Sequence, residues 1–185
     1  MPVYTTSTGS SGGIDLVSGL YYGSAGSGTG TALTGLRAYA HVFNNPKQCS
    51  IDRLGMNVAT SAVGALFRCC VWDDDGANNY PGTLIGAGGA DLDASTTGTK
   101  EHTVAFDIPA GNIWLGIITN ASGTFTPQST HPAFFQSTYM GTTSAASAVS
   151  VAIGTIAAFD IPSASPFPSP TITNIATPRV QFRKV

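Results

Sequence analysis

Three consecutive carboxylates, Asp73, Asp74 and Asp75, followed by Gly76, form the densest set of potential metal ligands in the chain. Hard oxygen donors on a loop that a glycine can bend suit calcium. An EF-hand loop counted from Asp73 needs a bidentate glutamate at its twelfth position, and that position is Leu84. The cluster is therefore expected to be a solvated acidic turn, and no metal or cofactor is assigned.

Acid–base and nucleophilic groups are sparse. Glu101 is the single glutamate, and on a strand it faces away from both Lys100 and His102, so no local dyad forms. Asp91 or Asp93 could meet Glu101 through space as a carboxylate pair for glycoside hydrolysis, but nothing in their spacing favours it. His41, His102 and His131 stand apart from any Ser or Cys motif, and there is no Gly-x-Ser-x-Gly elbow. Cys49, Cys69 and Cys70 match no zinc or redox spacing. Adjacent strand residues point to opposite faces, so Cys69 and Cys70 read as two small apolar residues of a buried strand. Gly23, Gly26 and Gly28 neither follow a parallel strand nor lead into Gly-Lys-Ser/Thr, which excludes a phosphate cradle. Trp72, Trp114, Phe134, Phe135 and Tyr139 could make a sugar-stacking platform; burial and subunit contact are the commoner fates of such residues. No enzymatic activity is expected.

Short runs rich in β-branched and aromatic residues recur between Gly, Pro, Asn and Asp clusters, and long amphipathic helical periods are absent. Strands are expected over 36–43, 50–59, 65–72, 83–87, 100–108, 113–119, 133–140, 147–153 and 179–184, making an all-β, jelly-roll-like antiparallel sandwich. Leu54, Met56 and Val58 alternate with Gly55, Asn57 and Ala59, as Val104, Phe106 and Ile108 do with Thr103, Ala105 and Asp107: two half-buried strands. The run from Leu66 to Trp72 is apolar on both faces apart from Arg68, so it belongs in the middle of a sheet or under a neighbour. Arg179, Gln181 and Arg183 alternate with Val180 and Phe182, which predicts a last strand with one wet face. Prolines 162, 166, 168 and 170 enforce an extended strap that crosses a surface instead of joining a sheet.

Of the 18 charged side chains, 13 lie between Arg37 and Asp107, whereas residues 1–34 carry only Asp15 and residues 108–178 only Asp160. The division expected is an extended Gly/Ser/Thr-rich arm, 1–34, and a sandwich domain, 35–185, that includes the Pro-rich strap 162–178. A stretch such as Thr5 to Gly30 has too little apolar surface to offset the entropy of ordering its own backbone, so neighbouring subunits are expected to hold it. Charged residues are 10% of the chain, which predicts that part of the surface is covered by other copies. A net charge of −2 with no basic run argues against nucleic acid, and no apolar stretch suits a leader or a membrane span. The expectation is a protein made in the cytoplasm, with neither nucleic acid nor membrane as partner.

From Leu36 to Gly116 the order of local elements resembles a β-sandwich module of tailed-bacteriophage virion proteins. The resemblance rests on Ala40-His41-Val42-Phe43, Ile51-Asp52-Arg53-Leu54-Gly55, Ala62-Val63-Gly64 and Val71-Trp72-Asp73-Asp74-Asp75-Gly76. It continues through Tyr80-Pro81-Gly82-Thr83-Leu84, Thr97-Gly98-Thr99-Lys100-Glu101 and Gly111-Asn112-Ile113-Trp114-Leu115-Gly116. Such modules are similar to jelly rolls in capsid decoration or cement proteins, head fibres and tail appendages, and carry no shared catalytic residues. The resemblance implies a homotrimeric capsid-surface protein that contacts the major capsid protein and neighbouring copies of itself. Tyr4, Ile14, Leu16, Leu20, Tyr21, Tyr22 and Phe167 are the expected subunit contacts. The alternative is a tail module that binds host polysaccharide.

Overall fold

A computed structural model describes residues 15–23, 28–30, 32–33, 35–78, 80–120, 123–130, 151–173 and 177–185. The strands among them are β1 (Tyr21–Gly23), β2 (Gly28–Thr29), β3 (Arg37–Asn45), β4 (Cys49–Thr60), β5 (Leu66–Asp74), β6 (Pro81–Ala87) and β7 (Leu92–Asp93). They continue with β8 (Gly98–Ile108), β9 (Gly111–Thr119), β10 (Thr126–Thr130), β11 (Val151–Thr155), β12 (Thr171–Thr173), β13 (Thr177–Pro178) and β14 (Gln181–Lys184). All pairings are antiparallel, and they make two sheets packed face to face as a β-sandwich. The first runs β1-β14-β4-β10-β13, with β8 on β4 and β2 on β10; the second runs β12-β11-β3-β9-β5-β6, with β7 on β5.

The alternations in β4 and β8 are realised as half-buried strands. Leu54, Met56, Val58, Val104 and Ile108 are buried between the sheets, while Thr103, Ala105 and Asp107 are exposed. Strands β3, β9 and β5 instead bury both faces. Their inward side chains, among them Phe67, Cys69, Val71, Ile113, Leu115 and Ile117, meet the first sheet. Their outward side chains, Ala38, Ala40, Val42, Cys70, Trp72, Trp114 and Ile118, form a second apolar layer. The two-faced apolar run at Leu66–Trp72 is thus a central strand, and Cys69 and Cys70 belong to opposite layers.

The strap covers that outer layer. Phe167 meets Trp72 edge-on, with ring centroids 5.1 Å apart, and Trp72 Nε1–H donates to the Ala164 carbonyl at 2.7 Å. Phe167 N–H donates to the Gly82 carbonyl at 2.9 Å, and Ile156, Ala164 and Phe167 are buried in the same cluster. Burying the Ile156 and Phe167 side chains contributes about 1.5–3 kcal/mol each, which is what holds a segment with little regular structure of its own. Trp72→Phe should cost about 2 kcal/mol, because it leaves the buried Ala164 carbonyl without its donor; urea unfolding measures this, and a change below about 0.5 kcal/mol contradicts it.

Several boundaries differ from the sequence expectation. The strap does not stay out of the sheets along its whole length: Thr171–Thr173 pairs with β11 and Thr177–Pro178 with β10. The arm is not separate either, since Leu33 bridges to Phe125 and is 1% exposed in the inner core. Pairing at a distance supplies what the Gly/Ser/Thr composition of these segments lacks. The expected strand 133–140 and most of 147–153 lie outside the described residues; Val151–Thr155 is where the latter run forms β11.

Candidate functional site

The residues singled out for chemistry hold the fold. Asp75 Oδ1 accepts the backbone N–H groups of Ala77, Asn78 and Tyr80, and Oδ2 accepts Asn78 Nδ2. These bonds, led by that of the Asn78 amide, hold its carboxyl down at about 2. Asp74 accepts Gly76 N–H on one oxygen and Trp114 Nε1–H on the other, at 3.0 and 3.1 Å. The acidic loop closes on itself and on the outer tryptophan layer, and among the described residues no group of three or more His, Cys, Asp or Glu could hold a metal ion.

Asp91 pairs with Arg68, Asp93 binds the Ser95 amide and hydroxyl, and Lys100 Nζ donates to Thr96 Oγ1. Glu101 sits on the exposed face of β8. All three cysteines are free thiols and buried; burial pushes Cys69 well above its ordinary value and Cys70 to about 12. Gly23 and Gly28 lie in strands β1 and β2 instead of a phosphate-wrapping turn. Trp72 and Trp114 are 0% exposed, which removes them from any sugar platform. Phe134, Phe135, Tyr139, His131 and Gly26 lie outside the described residues.

Two histidines are buried between the sheets. His102 Nε2 accepts the Cys69 N–H at 3.1 Å, joining β8 of one sheet to β5 of the other. A Cβ at Gly88 would stand 2.2 Å from that ring, so only glycine leaves room for it. Burial, reinforced by Arg68 and opposed by Asp91, lowers the His102 pKa to about 4. Burial lowers that of His41 to about 3, against a backbone hydrogen bond at Pro178. Both rings are neutral at pH 7.

Exposed apolar surface gathers elsewhere. Val17, Leu20, Tyr21 and Val185 are 60, 53, 39 and 62% exposed, and all four lie where the N-terminal segment runs beside the C-terminal strand. Val63, on the β4–β5 loop, is the other large hydrophobic exposed among the described residues. The edge is tightly built. Gly19 N–H donates to the Lys184 carbonyl at 2.8 Å, Lys184 N–H to Leu20 O at 3.2 Å, and Val185 N–H to Ser50 O at 3.0 Å. Tyr22 Oη accepts Val17 N–H at 2.6 Å, and Ser18 Oγ donates to Val185 O at 2.9 Å. Beside it lies an open hollow of about 400 Å³ lined by Asp15, Leu16, Lys47, Ser50, Lys184 and Val185.

Two ion pairs lie at this edge, and Lys184 Nζ there donates to the Leu16 carbonyl. Arg183 grips Asp52 with two nitrogens, and its guanidinium lies 5.9 Å from the centre of the Tyr21 ring. That grip holds the Asp52 carboxyl below its usual range. Lys47 meets Asp15 at 3.0 Å in the open. Asp52 is the extra residue of a bulge opposite β14, where Arg183 pairs with Arg53 and Lys184 with Ile51; the bulge brings Asp52 within reach of Arg183.

The residues expected at subunit contacts divide. Leu20 and Tyr21 are exposed on this edge, and Tyr22 is half-buried against Phe182. Leu16 and Phe167 are packed inside the chain, Phe167 because the strap folds back onto Trp72. Tyr4 and Ile14 lie outside the described residues. Sequence reading missed Val17, whose only signal was the absence of charge from Leu16 to Leu36, and Val185, which follows Arg183 and Lys184 and carried no signal. No protein-family model, curated protein or solved structure matches the chain.

Proposed function

We propose that the chain is a non-enzymatic structural subunit of a tailed-phage virion, a decoration or cement protein on the capsid surface. Its partners are the major capsid protein and neighbouring copies of itself. The observation that carries this reading is the concentration of exposed apolar side chains on one preorganised edge, Val17 to Tyr21 with Val185. Among the described residues, most of the acidic, thiol and imidazole groups that suggested other chemistry serve internal bonds or lie buried. Burial of both tryptophans takes two of the five candidate aromatics from the polysaccharide-binding alternative.

Energetically, a docked sandwich turns each further contact of its terminal segment into an intramolecular event, so individually weak contacts add up. Residues 15–23 and Leu33 belong to the fold, so the informative truncation removes 1–14 alone. Particles decorated with 15–185 should lose shell stability to heat relative to full-length protein. If the shortened chain docks and protects equally well, the stapling role of that segment is wrong; if neither form binds particles, the virion reading fails.

A further inference from the structure

We propose that β1 is a self-association strand: two copies of this chain join edge to edge, β1 antiparallel to β1, about a two-fold axis beside Tyr22. The inference rests on reading the terminal edge as a subunit contact and names its partner, a second copy, and its register.

The backbone direction follows from the pairing with β14. Tyr22 stands opposite Phe182, and Leu20 accepts the Lys184 N–H, so alternate residues of this strand aim their amides and carbonyls at β14. Tyr21 and Gly23, between and beyond them, direct theirs to the outer side, where β1 ends the sheet among the described strands. In a two-fold register centred on Tyr22, Tyr21 of one copy faces Gly23 of the other and the reverse. Each such pair exchanges two backbone hydrogen bonds, so the contact closes on itself and leaves no open edge to propagate.

Four other outer strands, β8, β12, β6 and β13, carry features that discourage such pairing, and β2 is only two residues long. On β8 stand Lys100, Glu101 and Asp107, with a register shift along its pairing. Pro170 immediately precedes β12, Pro81 opens β6, which has two register shifts, and Pro178 lies in β13. On β1 there is no charge, no proline and no bulge. The flanking Leu20 and Val17 present carbon to the outside; around them Asp52 pairs with Arg183 and Asp15 with Lys47, Glu101 and Arg53 lie near Tyr21, and Lys184 Nζ is held by the Leu16 carbonyl. A second copy therefore meets apolar surface with apolar surface inside a ring of charges of both signs, which favours neither a strongly acidic nor a strongly basic partner. The Tyr22–Val17 clasp holds the segment in place before contact, which lowers the entropy lost on pairing.

Sedimentation equilibrium of the full-length protein, over a wide concentration range and without particles, tests this. The expected result is a weight-average mass that climbs to twice the monomer, with the amides of Tyr21 and Gly23 exchanging more slowly as the dimer forms. Tyr21→Pro removes an outward N–H and no backbone bond to β14, together with the ring beside Arg183; Leu20→Glu adds charge to the edge and leaves the backbone intact. Both should be monomeric at concentrations where the parent is dimeric, and Leu20→Glu should melt with the parent at dilutions where both are monomeric. A parent that is monomeric throughout, a trimer indifferent to both substitutions, or variants that dimerise like the parent would each overturn the proposal; should Tyr21→Pro not fold, Leu20→Glu decides alone. The virion reading fails separately: a dimer that never binds particles removes that reading and leaves this one, and a monomer that docks normally does the reverse.

Discussion

Acidification from pH 7 to 4 should remove up to about 6 kcal/mol of folding stability, a large part of the roughly 5–15 kcal/mol that a folded domain possesses. His41 and His102 are buried neutral, with folded pKa values of about 3 and about 4 against an ordinary 6.5. A base whose folded pKa is depressed contributes its full stability above the unfolded pKa. As pH falls below 6.5 the unfolded chain takes up protons that the folded chain does not, and each ring costs about 1.4 kcal/mol per pH unit until its folded pKa is reached. The depressed carboxyls, Asp75 at about 2 among them, act in the same direction but below pH 4. At His102 the protonated ring would also turn a donor toward the Cys69 amide and a positive charge toward Arg68, with Asp91 in partial opposition. Urea unfolding at a series of pH values measures the slope. In His102→Gln, whose side-chain oxygen can still accept the Cys69 N–H, the slope between pH 6.5 and 4 should fall by about 1.4 kcal/mol per pH unit. An unchanged slope would show that His102 titrates normally in the folded protein.

Gly116→Ala should cost at least about 4 kcal/mol and prevent ordinary folding. Gly116 lies in β9 between β3 and β5, opposite Ala40 on one side and Cys70 on the other. An added Cβ would stand 1.9 Å from the Tyr39 carbonyl oxygen and 2.7 Å from the Ala40 Cα. Both obstacles are backbone of a central strand, so relief requires moving β3 away from β9 and breaking their ladder. Gly89→Ala is the matched control: nothing lies within 4 Å of its added carbon, and the change should stay within about 0.5 kcal/mol. Thermal melts of the two variants separate the cases, and a Gly116→Ala protein that melts with the parent would mean that β3 and β9 do not lie as described.

Much of the sandwich was legible because alternation and two-faced apolarity are local signals. Leu54, Met56 and Val58 declare one buried face, and Phe67 to Trp72 declare two. The short strands β1, β2, β7, β10, β12 and β13 were not legible, since runs of two to five residues are too short to show a period. Their pairing is decided by the strand they meet: Tyr22 joins a sheet because Phe182 is there. The candidate edge was half legible. Leu20 and Tyr21 stood out as apolar residues in a charge-free segment, but Val185 could be added only when the two ends of the chain were seen side by side.

The sequence by itself determined the all-β class, the buried faces of the long strands and the reading of Cys69 and Cys70 as apolar filling, because side-chain alternation along a strand needs no knowledge of partners. The tertiary structure alone decided which apolar residues reach solvent. Trp72 is covered by a carbonyl 92 residues away, Phe167 is buried with it, and His102 meets an amide 33 residues away. Such contacts depend on how the chain closes across long loops, and no local spacing encodes them. They leave Val17, Leu20, Tyr21 and Val185 together at the surface.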